Sequence, residues 1–174
     1  MEELVLKCLK ERRSVRAFRT EQVGEAELAA VLEAGTYAAT GRNKQAPIII
    51  AVQDKGAREK LRRMNAEILG TPDQDPFYGA PTILVVLSDP AVSTHVEDGA
   101  LVLGNLMNAA HAVGLASCWI HRARQEFESE QGKALLKEWG IEGEYVGIGH
   151  LALGIAATEL PAPTPRKKDY IYRV

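Results

Sequence analysis

The chain has 174 residues, of which 46% are hydrophobic and 25% charged, with a formal charge of −2. This length and composition suit one globular domain with a substantial core and argue against disorder. The slightly acidic balance excludes the overall basic field of nucleic-acid binders, and two cysteines, Cys8 and Cys118, make no disulfide framework. Reduced thiols and a cytoplasmic location follow as expectations.

The opening MEELVLKCLK mixes acids and lysines with apolar residues, so no signal-peptide core is read there. Leu4, Val5, Cys8 and Leu9 recur at helical spacing and predict a short amphipathic helix that runs into a cluster of arginines. EAELAAVLEA, residues 25–34, predicts a second helix closed by Gly35. The polar turn TGRNKQAP leads into IIIAV, residues 48–52, a buried strand by length and β-branching. Residues 57–69 read as a helix ending at Gly70, and the proline-rich loop TPDQDPFYGAP delivers the chain into the apolar strand TILVVLS, residues 82–88.

Residues 93–113 predict the longest helix. Val96, Ala100, Leu103, Met107 and Ala110 form one apolar row, with Val102, Leu106, Ala109 and Val113 beside it. Only Asp98, Asn105, Asn108 and His111 make a polar seam. Such a helix needs cover on nearly every side, so a homodimer built around it is expected. The window 101–120 is long enough to span a bilayer, but Asn105, Asn108 and His111 interrupt it and Gly114 reads as a helix stop, so no membrane span is expected. ASCWI, residues 116–120, is a third strand. The charged segment up to Trp139 is expected to be helical in its second half, and YVGIGHLALGI, residues 145–155, is a fourth strand. The prolines of PAPTPRKKDYIYRV keep the start of the tail extended. About four core strands interleaved with helices make an α+β or α/β sandwich.

Four motifs carry chemistry. In RRSVR, residues 12–16, guanidinium forks and a hydroxyl at a helix end suit a phosphate dianion; the alternative is a solvated basic patch. A kinase phosphosite fits poorly, because Val15 and Phe18 point to packing. In AATGRNKQAP, residues 38–47, small residues admit a flat ligand while Asn43 and Gln45 offer directional hydrogen bonds, although a plain loop has the same composition. Cys118 and His121 have C-x-x-H spacing, but neither Cys8 nor His95 and His150 completes a zinc set, so no metal is expected. A cysteine nucleophile with His121 or His150 as base has no further support, and a core role is the simpler reading of Cys118. Arg166, Lys167 and Lys168 are either a solvated run or a second arm toward the same phosphate. No G-x-G-x-x-G after a strand, Walker A, G-x-S-x-G or H-E-x-x-H motif occurs.

In order along the chain, RRSVRAF, ATGRNKQAP, YGAPTILVVLSD, DGALVLGNLMNAAHAVGLASCWI, GHLALGI and the basic tail resemble the nitroreductase family of homodimeric FMN oxidoreductases. The resemblance implies an α+β fold, a three-layer α-β-α sandwich with a central, mostly antiparallel sheet, dimeric around the long buried helix. It implies one domain over residues 1–174, with an extension at 161–174 packing on the dimer partner. FMN is the implied cofactor, with Arg12, Arg13, Ser14 and Arg16 on its phosphate, ribityl chain and pyrimidine edge. Thr40, Gly41 and Asn43 match a loop that reaches the flavin of the other subunit. Ile120 and His121 match backbone lying along the isoalloxazine, and Arg166 and Lys168 match tail residues closing on the phosphate. The implied activity is ping-pong hydride transfer from NADH or NADPH through FMN to a small electron acceptor: a nitroaromatic, a quinone or a flavin. No catalytic side chain is needed, and Arg16 is expected to stabilise the reduced flavin anion. The alternatives are an FMN carrier or sensor, and a non-enzymatic dimeric interaction module. The chain departs from the family in reading Ala-Thr-Gly for Pro-Ser-Ser and Gln-Ala-Pro for Gln-Pro-Trp, and in carrying His121 where an acidic or small residue is frequent. It is also short for the family, which implies an open site roofed in part by Phe77 and Tyr78.

Overall fold

The computed structural model describes residues 2–174. Helix α1 (Glu2–Glu11) and helix α2 (Glu25–Thr36) precede strand β1 (Pro47–Val52) and helix α3 (Lys55–Leu69). Strand β2 (Thr82–Ser88), helix α4 (His95–Ala112) and strand β3 (Ala116–Ile120) follow. Two short helices, α5 (Ala123–Glu128) and α6 (Glu130–Glu138), lead to strand β4 (Val146–Gly154). The four strands form one antiparallel sheet in the order β1-β2-β4-β3.

Alternation along β2 explains the layering. Leu84 and Val86 face a cluster with Leu28 and Val31 of α2 and Val102, Leu103 and Leu106 of α4. Ile83, Val85 and Leu87 face the opposite cluster, with Leu61 of α3, Phe127 of α5 and Leu135 of α6. Successive side chains of a strand point to opposite faces, and every residue of β2 is buried, so helices must cover both faces. The fold is the expected α+β sandwich with a helix layer on each side of an antiparallel sheet.

Gly35 does not close α2. It lies inside the helix and is buried, and a Cβ there would meet Leu106 of α4 and Ile49 of β1 at 2.6 and 2.8 Å. Its role is close approach of two elements, whereas Gly70 (φ 79°) and Gly114 (φ 83°) take the left-handed conformation of helix stops. The stretch between β3 and Trp139 is helical in both halves, because α5 is anchored by buried Ala123, Glu126 and Phe127. α5 lies so close to β4 that a side chain at Gly147 would collide with the Ala123 carbonyl. Beyond Gly154 the chain carries only a short 3-10 turn at Lys168–Tyr170, and residues 157–174 are exposed throughout. Among the described residues no helix is long and apolar enough to cross a membrane.

Candidate active site

The arginine cluster starts where α1 stops. Arg13 Nη1 donates to the Lys10 and Arg12 carbonyls at 2.7 and 2.8 Å, covering carbonyls that the helix end leaves free. The segment then runs beside the sheet edge. Ser14 bridges to Ser117, the Val15 N–H donates to the Ser117 carbonyl at 3.0 Å, and Phe18 bridges to Ala156. Val15, at 4% exposure, is the apolar anchor that fixes the direction of the polar residues on either side of it.

Arg12, Arg13 and Ser14 line a cavity of about 950 Å³ together with Pro163, Thr164 and Arg166 of the tail. Arg12 Nη1 and Arg13 Nε are buried and have no acceptor among the described residues. Buried guanidinium nitrogens rarely go unmatched, and two such arginines on the wall of one cavity fit an oxyanion such as a phosphate. Arg166 turns its Nε and Nη2 onto the Thr164 carbonyl at 3.2 and 2.8 Å, bracing the proline segment that forms the other wall.

Arg16 and Lys168 lie elsewhere. Arg16 is exposed and does not line the cavity; its charge, with that of Arg12, acts on the Cys118 thiol. Burial raises the Cys118 pKa most strongly, while Arg16, the Ser14 hydroxyl and Arg12 pull it down in part. Lys168 sits exposed in the 3-10 turn, where Lys167 Nζ lies 5.4 Å from the Tyr170 ring centre.

Thr40, Gly41 and Asn43 form a separate loop. The Gly41 N–H donates to Asp98 Oδ1 at 2.9 Å, and Thr94 Oγ1 donates to Asp98 Oδ2 at 3.0 Å. Arg42, Asn43 and Gln45 all have positive φ (52°, 53° and 50°), a conformation costing about 1–3 kcal/mol for each such residue. The Gln45 N–H donates to Thr40 Oγ1 at 3.2 Å and its amide to Asn43 Oδ1 at 3.3 Å. Asp98, 3% exposed, is the residue that holds this loop to α4. As one acid in an apolar helix it read as part of a polar seam, and only the fold reveals its partner.

Ile120 ends β3 buried, and His121 is exposed with its ring 6.0 Å from that of Trp119. Arg122 follows in the left-handed region at φ 80° and begins α5. Neither the His121 nor the Arg122 main-chain N–H donates to an acceptor among the described residues, so the turn presents two free donors. Beneath it lies a polar group that sequence reasoning missed. Asn65 Nδ2 donates to the His121 carbonyl at 2.9 Å and to Glu126 Oε1, and Asn65 Oδ1 accepts from Arg122 Nε at 2.8 Å. Glu126 Oε2 stands 3.1 Å from His150 Nε2 without the alignment of a hydrogen bond, and both residues are fully buried. Nothing local in the sequence links Asn65, Glu126 and His150; α3, α5 and β4 bring them together.

Phe77 cannot roof the site. It is fully buried and meets His150 edge-on, with ring centres 5.3 Å apart. Tyr78, 39% exposed and at φ 56°, is the outward aromatic of that loop. Asp75 holds the loop, accepting from the Phe77 and Gly79 N–H groups at 2.9 Å each and from Arg58.

The fold has known counterparts. The chain belongs to the nitroreductase family, whose profile matches residues 9–155. A protein of Archaeoglobus fulgidus named as an NADH dehydrogenase/NAD(P)H nitroreductase is 30% identical over 159 residues, covering 88% of this chain and 86% of that one. A nitroreductase of Bacteroides fragilis solved with bound FMN superposes with a TM-score of 0.89 at 30% identity, covering 98% of each chain. A Desulfitobacterium hafniense nitroreductase, also with bound FMN, gives a TM-score of 0.86 at 29% identity, covering 98% of this chain and 97% of that one.

Proposed function

We propose that this protein is an FMN-dependent oxidoreductase that takes hydride from NADH or NADPH. The observation that carries the reading is the pair of buried, unmatched nitrogens on Arg12 and Arg13, which share one cavity with Ser14 and Arg166. The FMN carried by the B. fragilis and D. hafniense relatives supports it, as does the nicotinamide-linked name of the A. fulgidus relative.

When bound, FMN supplies the redox chemistry, accepting hydride from the nicotinamide and delivering it in ping-pong fashion to a nitroaromatic, quinone or flavin acceptor. Arg12, Arg13 and Ser14 hold the phosphate, with Arg166 on the opposite wall of the cavity. The free N–H groups of His121 and Arg122, just after the buried Ile120, offer hydrogen-bond donors to the flavin ring. Arg16 supplies positive charge near the pyrimidine edge. Arg16→Ala should weaken FMN binding or lower the flavin potential, and a variant that moved neither would remove Arg16 from this role.

The protein acts as a homodimer in the cytoplasm, with residues 161–174 of a single domain lying on the partner subunit. Supporting this are the exposed apolar residues of α1 (Leu4 68%, Val5 60%, Leu9 52%), Leu101 of α4, and Ile171 and Tyr172 of the tail, which the single chain leaves uncovered. Thr40, Gly41 and Asn43 then reach the second subunit's flavin. Anaerobic addition of NADH or NADPH tests the enzymatic reading: the visible flavin band should bleach within turnover time and return when a quinone is added. Protein that holds FMN but never bleaches would be a carrier or sensor instead.

A further inference from the structure

We propose that Asn65, Glu126 and His150 form a buried positioning network that fixes the His121–Arg122 turn in the shape it presents to the flavin. The inference rests on the proposed function for what the turn faces, and on the structure for how the turn is held.

Arg122 adopts φ 80°, a conformation that non-glycine residues keep only where their surroundings impose it. No side chain caps α5 at this position. What imposes the conformation is Asn65, whose two amide atoms grip the turn from both sides. Its nitrogen holds the His121 carbonyl at 2.9 Å and its oxygen holds Arg122 Nε at 2.8 Å. The same nitrogen also donates to Glu126 Oε1, which ties the clamp to α5 one helical turn further on. Glu126 in turn stands against His150 at 3.1 Å, and His150 is the register partner of Ile120, the last residue of β3. The chain of contacts thus begins and ends at the turn: strand end, cross-strand neighbour, helix, amide, turn backbone.

Its rigidity comes from its surroundings. Asn65, Glu126 and His150 have no exposed surface, and Phe77 and Phe127 pack on the His150 ring at 5.3 and 6.2 Å between centres. Water cannot replace a lost partner there, so each polar atom that loses its bond stays unsatisfied. None of these side chains lines the arginine cavity. They are positioning residues, acting through the turn backbone that carries the two free N–H donors.

The test uses the full-length protein, with FMN as it is purified, and compares wild type with Asn65→Leu and Glu126→Gln. Asn65→Leu keeps the side-chain size and deletes both grips. It should accelerate amide hydrogen exchange in residues 120–126 by roughly tenfold or more while leaving β1 and α4 unchanged. It should also weaken the visible circular dichroism of bound FMN, while FMN affinity, set by the arginine cluster, stays within about threefold. Glu126→Gln, which still accepts from Asn65, should restore wild-type behaviour in both readouts. Unchanged exchange at 120–126, or faster exchange spread evenly over the chain, would overturn the network. If Asn65→Leu does not fold, Arg122→Ala removes one grip and should give a smaller rise confined to the same segment; no local rise would likewise overturn the proposal. Wild-type protein that refuses FMN would overturn the functional reading alone, because the exchange comparison needs no flavin.

Discussion

Arg12 and Arg13, at the end of α1, bury guanidinium nitrogens that find no acceptor among the described residues. Asn65, on the far side of the sheet, has both amide atoms engaged, to His121, Glu126 and Arg122. Both regions place strong polar groups out of water, where an unmatched group costs about 1–3 kcal/mol. The Asn65 amide is completed by the protein itself, although Glu126 Oε2 and both ring nitrogens of His150 behind it have no hydrogen-bond partner among the described residues. The other set belongs to two arginines that line a cavity, the arrangement on which the proposed phosphate site rests. Neither burial of a polar group nor the lack of a partner marks a ligand site by itself; what sets Arg12 and Arg13 apart is that both also line a cavity.

The difference can be broken from the closed side first. Asn65→Ala should lower unfolding stability by roughly 3–5 kcal/mol, because the fully buried Glu126 loses its partner and the half-buried Arg122 loses its acceptor. Urea unfolding would read the loss, with or without FMN. From the arginine side, Arg12→Ala should not lower stability without FMN and should raise it by up to about 1–3 kcal/mol, since it removes a buried nitrogen that had no partner. Its FMN affinity should fall roughly 10- to 100-fold by fluorescence titration, and the remaining affinity should depend less on salt. Two variants with these opposite profiles would sharpen the comparison. Equal profiles would dissolve it.

Smaller effects follow from titration. Burial raises the Cys118 pKa, so the folded state favours the thiol. That contribution is complete below the ordinary thiol value and is lost as pH rises through it toward the folded one, so stability should decline in the alkaline range and Cys118→Ser should flatten the decline. Cys8, only half-buried, should react with an alkylating reagent before Cys118 does. The smallest effect is at Glu59, whose pKa is lowered to about 2 by hydrogen bonds from Arg62 and then Arg63. Its contribution is present above the ordinary carboxylate range and lost as pH falls toward that value. Because the group is exposed to solvent, Glu59→Gln should shift stability by less than about 0.5 kcal/mol at neutral pH.

Much of this molecule was legible in its sequence. The apolar runs 82–88 and 116–120 are β2 and β3 to the residue, because buried strands bounded by loops leave little choice of register. RRSVR stood out because its charge exceeds what packing requires, and Arg12, Arg13 and Ser14 do line one cavity. What stayed hidden depends on distance in sequence. Gly35 reads as a helix stop until Leu106 and Ile49 are seen against it. Phe77 reads as an exposed loop aromatic until the fold turns it under the sheet onto His150. Asn65, Glu126 and His150 are single polar letters in three separate elements, and only their convergence gives them a role.

The most direct measurement on the central claim is to record the visible spectrum of the purified protein, release any chromophore by heat and identify it by chromatography. The account predicts a yellow protein that releases FMN in equimolar amount to the subunit, and an Arg12→Ala variant that is purified with much less. A colourless protein that also takes up no added FMN would contradict it, and the open nitrogens of Arg12 and Arg13 would then belong to a different anion.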